Sequence, residues 1–290
     1  FSTVRLVLNR RFALLHGVEE GAIIAGLVGL MSGTPYISDL DSCMVAQLEK
    51  HPVGRIPLLL KTVAAIEQFF LARSRGIVAV CAPLIEKAAR QAPAVRAIQI
   101  DDFPLDSSAV VDPAKLAELR TQFNLHDRRV IVYTGNLERY QGIDLLLESF
   151  RMLNDSNVVL LLVGGIKAHI EHFESQLRER PASGRVIFAG QRPGEEMGSY
   201  MALADTLVSP RSEGENTPLK LYSYMASGRP LVVTAIASHT SVLSEENAFF
   251  AEPNPSDLAR ALAAALDGSD MGGPRERPGP EAGRGRGGGT

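Results

Sequence analysis

Short runs of apolar residues recur along the chain and alternate with stretches in which apolar residues return every three or four positions. In the second half the runs Arg129–Thr134, Val158–Val163, Val186–Ala189, Thr206–Ser209, Pro230–Thr234 and Ala248–Ala251 are short and mostly apolar. Runs of that kind suit strands covered on both faces, as in a parallel sheet. Between and after them the spacing predicts helices over Ile143–Leu153, Lys167–Arg180, Glu195–Ala204, Pro218–Ser227 and Ser256–Leu266. Asp112-Pro113 supplies an N-cap and a first-turn proline for a further helix reaching about Phe123. Parallel neighbours need crossover helices, so this half reads as a complete doubly wound α/β domain.

The first half carries the same alternation in shorter form. Strands are expected over Ala13–Leu15, Tyr36–Ser38, Gly76–Val80 and Val95–Ile100, with a short helix between the last two. Longer helices are expected from about Val18 to Met31 and from Pro57 to Ser74, where Leu59, Val63, Ile66 and Phe70 share helical spacing. The uncharged stretch from Gly21 to Ser38 has an apolar part, Ala22–Met31, well short of the roughly 20 residues of a membrane-spanning helix. It reads as a buried helix turning into a strand. These boundaries give a partial Rossmann-like domain over residues 1–105 and a complete one over 106–268, with 106–111 as linker. Residues 269–290 form a Gly/Pro/Arg-rich tail whose composition predicts a solvated, disordered segment.

Composition narrows the classes. Apolar residues make up 45% of the 290 and charged residues 22%, which excludes a wholly disordered chain. A net charge of −3 offers no basic field for nucleic acid. Cys43 and Cys81 fit neither a disulfide framework nor a metal-ligand spacing and read as small buried apolar residues, in keeping with a reducing cytoplasm. No cluster has metal-ligand spacing, so neither a metal nor another cofactor is expected. His169 and His172 read as surface residues. The chain opens on Phe1 with no signal peptide, which reads as a fragment.

Three places carry more than packing logic, each at the end of an expected strand, where doubly wound folds bind ligands. The first is Tyr133-Thr-Gly135-Asn136-Leu-Glu-Arg139-Tyr-Gln141-Gly142, with Gly142 opening a helix whose N–H groups could face a phosphate. A glycine-rich β–α turn accounts for that spacing equally well. The second is Val163-Gly164-Gly165, for which a tight turn suffices. The third is Ser209-Pro-Arg211-Ser-Glu213-Gly-Glu215-Asn216-Thr217-Pro218-Leu219-Lys220-Leu-Tyr-Ser223. Its glutamates could accept hydrogen bonds from vicinal hydroxyls such as a ribose offers, and a helix begun by Pro218 could hold a phosphate. In the first half His16, after a strand, and Asp41 are candidates for contact with an acceptor or the transferred sugar.

The runs Val130–Asp144 and Ala204–Pro230 resemble glycosyltransferase family 4, retaining enzymes of the GT-B fold; Val186-Ile-Phe-Ala-Gly190 matches the flanking pattern. The resemblance covers Arg129–Leu266 and, more loosely, Leu15–Asp101. It implies an α/β GT-B fold of two Rossmann-like doubly wound domains facing a cleft, the N-terminal one incomplete, lacking its opening strands and acceptor loop. The resemblance also implies a C-terminal helix returning to that domain, which is not expected in these 290 residues. The resemblance implies a nucleotide-sugar donor (UDP- or GDP-sugar) bound by Gly135, Asn136, Arg139, Gln141, Gly142, Gly164, Arg211, Glu213, Asn216, Thr217, Pro218, Leu219, Lys220 and Ser223. His16, Asp41 and Glu215 would take catalytic roles. The acceptor would be a glycan, a lipid-linked molecule or a small molecule, and a lipid-linked one would add peripheral membrane contact.

This sequence departs from the family pattern at three positions. The second of the usual two glutamates falls at Ser223, and the usual diphosphate-binding arginine and lysine fall at Asn136 and Gln141. Arg139, Arg211 and Lys220 lie near enough in sequence to compensate. Two other readings stay open: a non-hydrolysing nucleotide-sugar epimerase on the same fold, and a non-catalytic nucleotide-sugar-binding module.

Overall fold

The structure, a computed structural model, describes residues 10, 12–42, 44–49, 56–101, 111–214 and 216–268. Cys43, Glu215, nearly all of the expected linker and the 269–290 tail lie outside the described residues. The fold is GT-B, an α/β architecture with two Rossmann-like domains. The chain divides into two units, one of Phe1–Pro104 with Gly214–Leu219, the other of Leu105–Glu213 with Lys220–Thr290.

In the first unit β1 (Leu15–Val18), β2 (Tyr36–Leu40), β3 (Gly76–Ala79) and β4 (Ala97–Gln99) form a parallel sheet in sequence order. The crossovers are α1 (Gly21–Ser32), α2 (Met44–Glu49) with α3 (Pro57–Leu71), and α4 (Ala82–Gln91). Three expectations need correction. His16 lies within β1, not after it; α2 was not foreseen; and α1 is not a wholly buried helix. Ala22, Ala25, Gly26, Val28 and Gly29 face inward, while Ile24, Leu27, Leu30 and Met31 are exposed. The reason is close approach. A Cβ at Gly26 would sit 2.3 Å from the Phe70 ring, so the small residues make the contact and the large ones turn out. Cys81 is buried, as expected of a free cysteine.

In the second unit six parallel strands run in the order β10-β9-β8-β5-β6-β7. They are β5 (Arg129–Thr134), β6 (Val158–Val163), β7 (Arg185–Gly190), β8 (Thr206–Ser209), β9 (Leu231–Thr234) and β10 (Phe249–Ala251). Successive residues of β5 feed opposite faces. Val130 and Val132 join Leu119 of α5 (Pro113–Gln122) and Tyr200 of α8 (Met197–Ala202). Ile131 and Tyr133 join α6 (Ile143–Leu153), Phe173 of α7 (Lys167–Glu179) and Leu262 of α11 (Pro255–Leu266). That double burial is why these strands read as unbroken apolar runs. Asp112 caps α5, its carboxylate accepting from the Ala114 N–H at 2.9 Å.

The remaining helices are α9 (Lys220–Ala226) and α10 (Ala237–Thr240). Two expected helices begin or end elsewhere. Glu195–Ala204 is a 3₁₀ turn, Gly194–Glu196, followed by α8. Pro218 does not open a helix: α9 begins two residues later, and the intervening stretch up to Leu219 groups with the first unit. His169 is half-buried, not a surface residue, whereas His172 is exposed.

The strand order reverses between β5 and β8, and there the backbones come close. Gly142 has φ 72°, and a Cβ on it would lie 2.0 Å from the Pro210 carbonyl oxygen. Gly142→Ala therefore meets both a left-handed backbone and a fixed carbonyl, and should destabilise the fold by at least about 2 kcal/mol. Urea denaturation checks this; an unchanged midpoint would show that the β5 and β8 loops separate freely.

Candidate functional site

Ligands in open α/β sheets bind outside the carboxyl ends of the strands where the order reverses. In the second unit that place lies between the ends of β5 and β8, at Thr134-Gly135 and Ser209-Pro210. The glycines foreseen there are explained by contact. Gly135 and Gly142 flank the loop after β5, and Gly164, with φ 118°, sits against it: a Cβ would be 2.1 Å from the Gly135 carbonyl. The loop after β8 is tied to the loop after β5 by the Ser212 N–H donating to the Tyr140 carbonyl at 3.1 Å.

Two cations reach this place. Tyr224 of α9 is fully buried, and its hydroxyl accepts from the Thr134 N–H at 2.7 Å, which fixes α9 against the end of β5. Lys220, four residues earlier on the same helix face, is thereby aimed at the β5 loop. Its ammonium donates to the Gln141 amide oxygen at 3.0 Å and stands 4.1 Å from the Tyr133 ring centroid. Both groups are neutral. Burial, reinforced by the nearby Arg211 charge, pushes the Lys220 ammonium down from 10.5 to about 7. Arg211 is 6% exposed; its Nε donates to the Glu213 carbonyl at 2.7 Å and its guanidinium lies 5.3 Å from the Tyr140 ring centroid. Burial lowers its pKa as well. Arg211 and Lys220 are thus two largely desolvated cations at the same strand ends, packed against tyrosine rings and an amide.

The other foreseen residues fall around or away from this pair. Asn136 is exposed; its side-chain amide donates to the Tyr140 hydroxyl at 3.1 Å and its backbone carbonyl accepts from the Tyr133 hydroxyl at 2.6 Å. Gln141, at a position read as having lost a cation, hydrogen-bonds one instead. Arg139 is exposed on a 3₁₀ turn, Arg139–Gln141, and the side chain of Glu213 is exposed too. Ser223 is half-buried on α9. Asn216, Thr217, Pro218 and Leu219 group with the first unit; Thr217 and Pro218 are buried and Leu219 is 47% exposed. Glu215 lies outside the described residues.

In the first unit His16 pairs with Asp39, Nε2 to Oδ2 at 2.8 Å, a partner that sequence reasoning did not single out. Asp41 follows β2, and next to it the Ser42 hydroxyl donates to Glu19 at 2.7 Å. A cavity of about 20 Å³ is lined by Glu19, Ser38, Ser42 and Glu67 among apolar groups, space for one water.

Sequence reasoning also missed the tyrosines and His239. A tyrosine inside an otherwise apolar strand was a usable signal, because its buried hydroxyl must find a partner. His239 gave none. It is fully buried, its pKa driven down to about 4 by burial, then by Arg211 and Lys220, against a hydrogen bond to the Thr234 carbonyl. Among the described residues no three His, Cys, Asp or Glu side chains gather as metal ligands, and no helix is long and apolar enough to cross a membrane.

Residues 128–268 match the sequence family described as Glycosyl transferases group 1. The D-inositol 3-phosphate glycosyltransferase of Corynebacterium diphtheriae is 30% identical over 151 residues, 45% of this chain and 35% of that protein. The alpha-D-kanosaminyltransferase of Streptomyces kanamyceticus is 22% identical over 278 residues, 92% of this chain and 70% of that protein. Four of the curated relatives are matched over less than half of their own length. Among solved structures, Anabaena Alr3699/HepE in complex with UDP superposes with a TM-score of 0.78 at 15% identity, covering 93% of this chain and 72% of that one. Sucrose-phosphate synthase from Thermosynechococcus elongatus gives 0.72 at 22% identity, over 91% and 67%.

The lowered Lys220 pKa has a stability consequence whose sign is fixed. Between about 7 and 10.5 the unfolded chain holds a proton that the folded one does not, so the penalty of burying Lys220 is complete below pH 7 and fades as the pH rises towards 10.5. Lys220→Met should therefore stabilise the ligand-free protein by about 1–3 kcal/mol at pH 6, with the gain shrinking towards pH 10. Denaturant titrations across that range test it; a gain independent of pH would mean the ammonium is not desolvated.

Proposed function

We propose that the protein transfers a sugar from a nucleotide diphosphate sugar, a UDP- or GDP-sugar, to a glycan, lipid-linked or small-molecule acceptor, with retention at the anomeric carbon. The observation that carries this reading is the Arg211–Lys220 pair at the ends of β5 and β8, two desolvated cations in a sheet position that binds ligands. The match of residues 128–268 to glycosyl transferases supports it, as do the names of the relatives. HepE, one of the structural neighbours, was solved with UDP, UDP-glucose and glucose.

On this reading the diphosphate lies against Arg211 and Lys220. The bond from the anomeric carbon to phosphate oxygen breaks, that oxygen keeps the electron pair, and the acceptor hydroxyl forms the new bond and passes its proton to the departing diphosphate. Charge develops on the departing diphosphate, and preorganised cations in a water-poor site are suited to stabilise it. Gln141 holds the ammonium in place, and the Tyr133 and Tyr140 rings shield the two cations. No metal is required. The open pocket of about 490 Å³ at the ends of β6 and β7, lined in part by Gly165, Ile170, Gly190 and Gln191, has room for the nucleoside. Glu215 accepts hydrogen bonds from the donor's ribose or sugar, and His16 and Asp41 act on the acceptor or the transferred sugar. The compartment is the cytoplasm, with membrane contact where the acceptor is lipid-linked.

Titration calorimetry with UDP and GDP, followed by product analysis with a panel of nucleotide sugars, tests the assignment. A glycosylated acceptor with retained configuration supports it; a free epimerised nucleotide sugar, or binding without turnover, replaces it by one of the two other readings. Lys220→Met and Glu215→Gln should each weaken nucleotide-sugar binding or turnover by about ten- to a hundredfold, the worth of a hydrogen bond to a charged group. Glu213→Gln should lose less, and if it proves the more damaging change the donor contacts are misassigned by two residues.

A further inference from the structure

His239 lies on a four-residue helix after β9, outside every motif discussed so far, yet it is wholly enclosed and both ring nitrogens are engaged. Its Nδ1 is 2.8 Å from the Thr234 carbonyl oxygen, which only accepts, so Nδ1 carries the proton. Its Nε2 is then an acceptor and takes the Ser209 hydroxyl at 3.2 Å. Thr234 Oγ1 in turn donates to the carbonyl of Arg211. The ring thus ties the last residue of β8 to the last residue of β9, and the hydroxyl of that second residue grips the backbone from which the Arg211 side chain departs. The low pKa agrees with this, since a ring facing Arg211 and Lys220 stays neutral and keeps Nε2 free to accept.

We propose that His239 is a positioning residue for Arg211: through Ser209 and Thr234 it sets where the guanidinium stands at the anion site. The inference rests on the reading of that site as a diphosphate site, but it makes a separate claim about Arg211 that can be read without any ligand.

The ligand-free readout is the ¹⁵N-edited signal of the Arg211 Nε–H, which donates to the Glu213 carbonyl and is assigned with an Arg211→Gln variant. His239→Asn and Thr234→Val should shift or broaden that signal, and Thr234→Ser, which keeps the hydroxyl, should restore it. Leu119→Ala, a core change on α5, should leave it in place, which separates positioning from general loosening. The second readout is UDP affinity. His239→Asn should weaken it about five- to tenfold in the parent protein and less than about twofold in an Arg211→Gln background, the coupling expected when one residue acts through the other. If the parent protein does not bind UDP, the diphosphate reading falls and the Nε–H signal alone decides the role of His239. An unmoved signal, or equal losses of affinity in both backgrounds, overturns the proposal.

Discussion

The site depends on one constraint: the loops after β5 and β8 must touch backbone to backbone. Gly142 against the Pro210 carbonyl leaves no volume for a side chain, so the two loops close to hydrogen-bond distance and Ser212 can reach the Tyr140 carbonyl. Everything chemical follows from that closeness. Arg211 leaves one loop, Gln141 sits on the other, and α9 docks beneath them through Tyr224. Were the loops a few ångströms further apart, both cations would be hydrated and ordinary.

Desolvation is what makes the pair informative. A surface lysine beside an arginine is a solvated basic patch and implies little. Here Lys220 is shifted to about 7 because its ammonium has exchanged water for an amide oxygen and an aromatic face. That exchange is unfavourable in isolation. On the proposed reading, an anion bound at this strand-end switch point would offset that cost and draw a proton onto the lysine near neutral pH.

The network behind Arg211 shows how a cation is kept accurate as well as charged. Tyr140 beside its guanidinium and the Glu213 carbonyl fix the head of the side chain, while Thr234 holds its carbonyl. Both ends of the residue are therefore restrained, and the restraint comes from β9 and the short helix after it as well as from the loop that carries Arg211.

Local pattern and backbone chemistry determined the strands and helices of the second unit: β5, β6, β8 and α6 lie where the apolar runs placed them, because a strand buried on both faces has no polar positions to blur its ends. The switch-point glycines were legible for the same local reason, since a strand-end glycine marks tight backbone. The resemblance to GT-B enzymes supplied the fold class from a signature of contiguous residues. Tertiary structure alone decided which side chains converge. Gln141 and Lys220 are 79 positions apart and His239 and Ser209 are 30 apart, and no periodicity reports a contact at that range. Sequence likewise read α1 as buried, because hydropathy counts apolar residues without knowing that the small ones face inward, and it opened a helix at Pro218 because proline favours a first turn whether or not the chain turns there. Those outcomes depend on which surfaces meet, and that is a property of the folded chain.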